Sequence, residues 1–256
     1  MAELLQGQLC LILGVANKWS LAYAVARAFS REGADIVLGY LAENHKASLE
    51  SLCQDLNIVA MLPCDVTKDD EIAQMAAGLA RLNRPLRSVV HSLAFANRED
   101  LARPFVETQR DGFLLAQNVS AYSLVAVARA TAPLMTEGGS IMTMTYLGST
   151  RVVPMYNVMG VAKAALESSV QYLAADLGIR DIRVNAISAG PVKTASARAI
   201  KDFSMVLSTV ADRAPLRRNT DPAEVADTAV FLASFLGRGI TGNVIFVDAG
   251  MHIMGL

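Results

Sequence analysis

Hydrophobic and polar positions alternate along the chain in two kinds of block. Short aliphatic runs recur with amphipathic stretches between them, a pattern typical of parallel strands joined by helical crossovers. The strands are predicted near residues 8–14, 34–40, 58–62, 87–93, 139–145, 182–188 and 243–248, and the helices near 20–31, 43–56, 69–81, 107–134, 156–177 and 222–235. The first strand is apolar without a break from Leu9 to Leu13, as strands buried on both faces are. The pattern therefore predicts an α/β fold: a single doubly wound, Rossmann-type domain with a seven-stranded parallel sheet.

The stretch at about 193–215 departs from this alternation. It follows a predicted strand and carries Phe203, Met205, Val206 and Leu207 among charged residues. A helical lid over an apolar pocket and an ordinary surface helix both fit this pattern. No internal repeat or Pro/Gly-rich linker interrupts the chain. Residues 1–256 are therefore predicted to form one domain, with the lid as part of it.

Composition narrows the classes of partner. The 23 basic and 24 acidic side chains nearly cancel, so no net field draws the chain onto nucleic acid or anionic lipid, and neither is expected as a partner. Apolar residues make up 53% of the chain and charged residues 18%. This balance favours self-association, because large exposed apolar patches are rare on monomers. The sequence therefore predicts a small-molecule ligand and a homo-oligomer.

The cysteines and histidines indicate neither a disulfide framework nor a metal site. Cys10, Cys53 and Cys64 are odd in number and lie in apolar contexts, which is typical of reduced core thiols. The three histidines are scattered, without the paired spacing of zinc ligands. The apolar run at residues 9–16 lacks a basic flank and is too short to cross a bilayer. A cytoplasmic protein without a metal or a membrane anchor is expected.

The first predicted strand ends in a turn that suits a phosphate group. Gly14 follows the strand and the next helix begins near Ser20, so the free N–H groups and the positive dipole end of that helix face the turn. Only one glycine of the usual G-x-G-x-x-G is present, and a turn with one glycine and a serine cap also occurs as a purely structural motif. Its position as the first βα turn favours dinucleotide binding.

Two later strand ends bear on which dinucleotide binds. Tyr40 and Leu41, at the end of the second strand, offer neither the Asp or Glu that holds an NAD ribose nor the Arg that holds an NADP phosphate. Asp65 ends the third strand, where its carboxylate can accept from an adenine amine or cap the next helix. The choice between NADH and NADPH stays open in the sequence.

The strongest chemical signal is a tyrosine and a lysine at the start of the helix predicted at 156–177. Tyr156 and Lys163 are seven residues apart, and at about 100° per residue they share one helical face two turns apart. An ammonium beside a phenol favours phenolate, so Lys163 is expected to lower the pKa of Tyr156 from its ordinary value of about 10. The pair predicts a proton donor or oxyanion stabiliser beside a hydride acceptor.

The whole chain resembles the short-chain dehydrogenase/reductase family, and within it the divergent branch of bacterial enoyl-[acyl-carrier-protein] reductases. The resemblance rests on Gly14, Ser20 and Ala22 of a G-x5-S-x-A turn, Cys64-Asp65-Val66, His91 to Ala96, Tyr146-Leu147-Gly148, Tyr156-x6-Lys163, and Arg183 to Pro191. Ketone and alcohol reductases of the family carry Tyr-x3-Lys, with a Ser thirteen residues before the Tyr. Those two positions are Met159 and Tyr146 here, so the spacing favours the enoyl branch.

The resemblance implies hydride transfer from NADH, with NADPH as the open alternative, to C3 of a trans-2-enoyl thioester on acyl carrier protein. This is the last reductive step of the fatty acid elongation cycle, and the family resemblance also implies a homotetramer. The implied catalytic residues are Tyr156, Lys163 and Tyr146; the cofactor-binding residues are Gly14, Ser20, Leu21, Leu41, Asp65, Val66, Leu93, Lys163, Val192 and Thr194; the substrate-binding residues are Ala96, Tyr146, Tyr156, Ile200, Phe203 and Met205. A carbonyl reductase of the same fold and a dinucleotide-binding protein without catalysis are the alternatives.

Overall fold

Seven parallel strands form one sheet at the centre of the fold. The computed structural model describes residues 3–192 and 203–255. The strands are Leu9–Leu13 (β1), Asp35–Tyr40 (β2), Ile58–Pro63 (β3), Leu86–His91 (β4), Gly139–Thr145 (β5), Ile182–Ala189 (β6) and Val244–Val247 (β7). Their order across the sheet is β3-β2-β1-β4-β5-β6-β7. The predicted doubly wound parallel sheet is confirmed, and every predicted strand is found.

The helices cover both faces of this sheet. They are Leu21–Arg31 (α1), Lys46–Leu52 (α2), Asp69–Ala80 (α3), Arg98–Ala102 (α4), Arg110–Gln117 (α5), Ser123–Thr131 (α6), Asn157–Leu177 (α7), Phe203–Arg213 (α8) and Pro222–Ala233 (α9). One apolar layer lies between the sheet and the helices α1, α2 and α9. The other lies between the sheet and α3, α6 and α7. The sheet is thus buried on both faces, which explains the unbroken apolar run of β1.

The helix predicted at 107–134 is interrupted, and this part of the prediction is wrong. A π-helical turn, Asn118–Tyr122, separates α5 from α6. Within that turn, the Ser120 hydroxyl accepts from Phe95 N at 2.9 Å and lies 3.1 Å from Phe95 O. These contacts tie the turn to the segment after β4, and π turns often mark such functional contacts. The short helix α4 is also absent from the prediction.

The predicted lid contains a helix in its described part. The structure gives α8 as Phe203–Arg213, inside the stretch predicted at about 193–215. Residues 193–202 lie outside the described residues, so the sequence prediction for them stays a prediction.

The three cysteines are buried free thiols, as predicted. Burial raises the pKa of Cys10 and Cys64 to about 12, so these thiols stay protonated and pack as small apolar side chains. Among the residues described, no helix is long and apolar enough to cross a membrane.

Candidate active site

The strand order reverses between β1 and β4, and doubly wound folds bind dinucleotides beside such a reversal. Gly14 lies there with a φ of +100°, and a Cβ built on it would be 2.1 Å from Ser92 O and 3.4 Å from a methyl carbon of Leu93. The left-handed backbone and the close approach both require glycine. Gly14 and Leu93 are thus brought together at a cradle of bare backbone, and this cradle fits the pyrophosphate of a dinucleotide.

The turn after Gly14 leaves the start of α1 uncapped by its serine. Ser20 occupies the N-cap position, but its hydroxyl donates to Asn17 O at 2.7 Å and makes no cap bond to the helix. Tyr23 N and Ala24 N donate to Ser20 O, so Leu21 and Ala22, the first two residues of α1, are the ones whose N–H groups can face an anion. The alternative of a purely structural turn with a serine cap therefore lacks its cap bond, which favours the phosphate-site interpretation.

The end of β2 carries a carboxylate that residues 39–41 alone did not reveal. The Tyr40 hydroxyl donates to Glu43 Oε2 at 2.6 Å, and this bond lowers the pKa of Glu43. Leu41 is exposed beside them. The strand end is therefore both apolar and negatively charged.

Asp65 follows β3 and forms a local turn. Its Oδ1 accepts from Thr67 N at 3.0 Å and from Thr67 Oγ1 at 2.7 Å, and Lys68 Nζ lies 3.5 Å from its other oxygen. The next helix, α3, has Lys68 as its N-cap, so the alternative of Asp65 as the cap of that helix is wrong. Val66 is buried beside it.

Tyr156 is held between a glycine and a second tyrosine. It lies immediately before α7, and a Cβ on Gly148 would be 2.4 Å from its Cδ1, so the ring rests on the bare backbone of the turn Leu147–Ser149. The ring of Tyr146 meets it edge-on, with centroids 5.1 Å apart and an interplanar angle of 72°. The two phenols therefore share one site at the end of β5.

Lys163 is a buried cation at the same strand end. Its Nζ donates to Met144 O at 2.8 Å, and burial lowers its pKa to about 8 while Glu167, one turn further along α7, raises it. Glu167 in turn accepts from Thr145 Oγ1 at 2.6 Å. Two consecutive residues of β5 thus hold the ammonium and its counter-charge.

His91 lies fully buried at the end of β4. Its ring nitrogens lie 2.9 Å from Thr143 Oγ1 and 2.8 Å from Ser123 Oγ. Burial and the charge of Lys163 lower its pKa to about 3, so His91 is a neutral structural group beside the buried ammonium.

The pKa of Tyr156 is raised, whereas the sequence pattern predicted that Lys163 would lower it. Burial is the main cause, and Tyr146 and Glu167 add to it. The ammonium of Lys163 is directed to Met144 O. The predicted lowering of the Tyr156 pKa is therefore wrong: the phenol keeps its proton and can serve as a hydrogen-bond donor to a developing oxyanion.

The sequence of the whole chain decides its family. The family profile described as Enoyl-(Acyl carrier protein) reductase matches residues 14–252. The chain belongs to the enoyl-(acyl carrier protein) reductase family. This membership confirms the resemblance to the divergent short-chain dehydrogenase/reductases on which the sequence prediction rests.

Individual members of the enoyl-(acyl carrier protein) reductase family match over nearly their full length. Enoyl-[acyl-carrier-protein] reductase [NADH] FabI of Bacillus cereus is 52% identical over 255 residues, which are 99% of this chain and 100% of that protein. Enoyl-[acyl-carrier-protein] reductase [NADPH] FabI of Staphylococcus aureus strain MRSA252 is 47% identical over 250 residues, 97% and 98% of the two chains. The crystal structure of the Bacillus cereus reductase with NADP+ and indole naphthyridinone gives a TM-score of 0.97 at 52% identity, covering 99% of each chain.

The site of this chain also differs from that of the carbonyl reductases of the wider family. Met159, where ketone reductases of the wider family carry the tyrosine, is a buried apolar side chain in α7. Tyr146, at their serine position, instead contacts Tyr156. Since Met159 offers no hydroxyl, the carbonyl-reductase alternative lacks its proton donor.

A cavity of about 520 Å³ lies beside Tyr146. Its lining is mostly apolar and consists of Tyr146, Leu147, Val153, Pro154, Met155, Ala189, Gly190, Pro191, Met205, Val206, Thr209, Val210, Asp248 and Met251. Of the substrate residues predicted from the sequence, Tyr146 and Met205 line it. Tyr156 and Ala96 do not, as far as the described residues define the wall.

The remaining predicted residues divide into described and undescribed positions. Val192 is buried just after β6. Thr194, Ile200 and the Phe203 side chain lie outside the described residues. Glu43 and Asn157 belong to the site region but were not identified from the sequence, and Gly148 was named only as part of the Tyr146-Leu147-Gly148 motif, without a role. A glycine in a tyrosine-rich turn and an asparagine beside Tyr156 were the available signals, and neither residue type is distinctive alone.

Proposed function

We propose that this chain reduces trans-2-enoyl thioesters carried on acyl carrier protein, with NADH as the reductant, in the last reductive step of fatty acid elongation. The observation that carries this assignment is the protonated Tyr156 phenol, held on Gly148 beside Tyr146 at the strand end that also bears Lys163. A neutral donor fits an acceptor whose negative charge develops only during the reaction.

The proposed chemistry divides among three side chains. Bound NADH would supply a hydride to C3 of the enoyl thioester and leave as NAD+, and a proton from solvent would complete the reduction at C2. Tyr156 donates a hydrogen bond to the thioester oxygen as charge develops there, because its raised pKa keeps the phenol protonated. Tyr146 orients the substrate beside it. Lys163 holds the nicotinamide ribose and adds a positive charge close to the developing oxyanion.

The proposed cofactor cradle runs along the carboxyl ends of β1 to β4 and β6. Its members are Gly14, Ser20, Leu21, Leu41, Asp65, Val66, Leu93, Lys163, Val192 and Thr194. The bare backbone at Gly14 and the uncapped start of α1 support it. Glu43 supports NADH over NADPH, because a carboxylate at the end of β2 repels a ribose 2′-phosphate.

The acyl chain is proposed to enter the cavity beside Tyr146. Residues 193–215 form its lid in this proposal, with Ala96, Ile200, Phe203 and Met205 around the chain. Support comes from α8, whose Met205, Val206, Thr209 and Val210 line the cavity. An apolar wall opposite a phenol suits a substrate with a polar head and an aliphatic tail.

A cytoplasmic homotetramer is proposed as the working assembly, with no nucleic-acid or membrane partner. Exposed apolar side chains form two groups on different elements. The α5–α7 face comprises Leu114, Tyr122, Val161 and Tyr172, and the β7 face comprises Phe231, Phe235, Leu236, Phe246 and Ile253. Two such faces on one chain, each paired with its copy on another chain, would generate a closed tetramer with 222 symmetry.

The deciding experiment follows NADH absorbance with a trans-2-enoyl thioester for the wild type and for Tyr156→Phe. We expect turnover by the wild type and a loss of about a hundredfold in kcat for the variant, because one oxyanion donor is removed. NADPH in place of NADH should raise KM. Reduction of an acetoacetyl thioester without enoyl reduction would establish a carbonyl reductase instead. Cofactor binding without turnover of either thioester would establish a non-catalytic dinucleotide-binding protein.

A further inference from the structure

The backbone on both sides of Tyr156 is left-handed. The φ angle is +63° at Met155 and +38° at Asn157, whereas Tyr156 itself has φ −100° and ψ −32°. Residues other than glycine seldom adopt this region, and asparagine is among those that adopt it most readily. The direction of the Tyr156 side chain from the backbone therefore depends on two unfavourable backbone conformations, at Met155 and Asn157. The surrounding structure must stabilise both.

The side chain of Asn157 supplies such a restraint. Its Nδ2 donates to Leu101 O at 2.9 Å and to Arg103 O at 2.8 Å, so both amide hydrogens are used. Leu101 lies in the last turn of α4 and Arg103 follows that helix. Carbonyl groups at the C-terminal end of a helix have no hydrogen-bond partner within the helix. The first residue of α7 is thus tied to the end of α4.

The other contacts of Tyr156 are local backbone bonds and contacts to its ring. Tyr156 N donates to Val153 O at 3.1 Å and Met159 N donates to Tyr156 O at 3.0 Å, and both bonds lie within the turn that opens α7. Gly148 lies under the ring and Tyr146 meets its edge. Neither contact fixes the Cα–Cβ bond, whose direction follows from the twist of residues 155–157. The amide of Asn157 therefore completes the set of restraints on the phenol.

We propose that Asn157 is a positioning residue for the reductase reaction. By holding the left-handed turn before α7 against α4, its amide aims the Tyr156 hydroxyl at the thioester oxygen. This inference rests on the proposed function, in which Tyr156 is the oxyanion donor. Asn157 acts only through Tyr156, and α4 becomes a remote support of the active site.

Two variants separate the backbone conformation from the amide bonds. Asn157→Gly keeps the left-handed φ without strain but removes both bonds, and Asn157→Asp keeps the shape while replacing the donor with a carboxylate that repels the two carbonyls. With saturating NADH and a trans-2-enoyl thioester, each variant should lose about tenfold in kcat, since small displacements of a reacting group are costly. KM for NADH should stay within about twofold, because the cofactor cradle is untouched.

A double-mutant cycle tests whether the effect passes through Tyr156. In the Tyr156→Phe background, adding Asn157→Gly should change kcat by less than about twofold, because no hydroxyl remains to be aimed. An equal loss in both backgrounds would overturn the proposal. If Tyr156→Phe alone leaves kcat unchanged, the proposed role of Tyr156 fails; if it lowers kcat and the Asn157 variants do not, only the positioning role fails.

Asn97→Ala is the matched control for a merely structural effect. It removes the 3.2 Å bond from Asn97 Nδ2 to Asp100 Oδ2 at the start of α4, where Asn97 is the N-cap residue, and leaves Asn157 intact. We expect a lower Tm with unchanged kcat. A kcat loss equal to that of Asn157→Gly would overturn the proposal, because loosening α4 would then explain both. Failure of both Asn157 variants to fold would also overturn it, since Asn157 would then be a determinant of the fold.

Discussion

A methyl group at position 148 tests how closely the Tyr156 ring must be held. In Gly148→Ala the new Cβ would lie 2.4 Å from Tyr156 Cδ1 and 2.7 Å from Cε1, where ordinary contacts begin at 3.4 Å. The ring must therefore move by about 1 Å, or the turn Leu147–Ser149 must open by the same amount. Tyr146, edge-on at 5.1 Å, limits the directions in which the ring can move.

A displacement of this size predicts a large kinetic effect. Misplacing a reacting group by 1 Å lowers rates by up to about a hundredfold, equivalent to about 3 kcal/mol in the activation barrier. The overpacking itself should destabilise the fold by about 1–3 kcal/mol. We expect Gly148→Ala to lose this factor in kcat for a trans-2-enoyl thioester, measured by NADH absorbance. KM for NADH should stay within about twofold, because the new methyl meets Tyr156 and Tyr146 and not the residues around Gly14.

Gly178→Ala is the control for an added methyl group. Gly178 follows α7, and a Cβ there meets no atom within 4 Å. Its kcat should equal that of the wild type. If Gly148→Ala also retains wild-type kcat and KM, the position of the Tyr156 ring does not govern turnover, and the assignment of Tyr156 as the oxyanion donor loses its structural basis.

Two further predictions concern Lys163 and Gly14. Burial lowers the pKa of Lys163 from 10.5 to about 8, so above pH 8 the folded state releases a proton that the unfolded chain keeps up to pH 10.5. The free energy of unfolding, measured with urea, should therefore rise with pH in the wild type by about 3 kcal/mol more than in Lys163→Met between pH 8 and pH 10.5. A difference between the two proteins that does not change with pH would refute the lowered pKa of Lys163. In Gly14→Ala a Cβ would lie 2.1 Å from Ser92 O, so the Kd for NADH, measured by fluorescence, should rise at least about tenfold; an unchanged Kd would remove Gly14 from the cofactor site.

The sequence predicted those parts of the fold whose causes are local. A strand buried on both faces is apolar without interruption, so β1 and its neighbours appear directly in the pattern. The break between α5 and α6 has a different origin, because Ser120 bonds to Phe95, which lies 25 residues away. No periodicity within 107–134 records that contact, and a single helix was the natural prediction.

In the site, too, the sequence identified which residues take part but not the environment that the fold gives them. Spacing and family resemblance identified Tyr146, Tyr156 and Lys163, and the structure brings the two tyrosines into contact. The direction of the pKa shift of Tyr156 was predicted wrongly, because burial is a property of the folded chain and outweighs the charge expected from a neighbour in sequence. The serine turn is a similar case: the sequence left a serine cap open as an alternative, but the Ser20 hydroxyl donates to Asn17 O instead.

Burial also explains how one strand end can carry a donor and a cation together at neutral pH. It raises the pKa of Tyr146 and Tyr156, so both phenols keep their protons. It lowers the pKa of Lys163 only to about 8, since the carboxylate of Glu167 opposes the effect of burial. Thr145 holds that carboxylate in place by a hydrogen bond of 2.6 Å. As the pH rises, Lys163 therefore loses its proton before either phenol does. The charge of this site changes with the protonation of Lys163, while Tyr156 keeps the proton that it donates in a hydrogen bond.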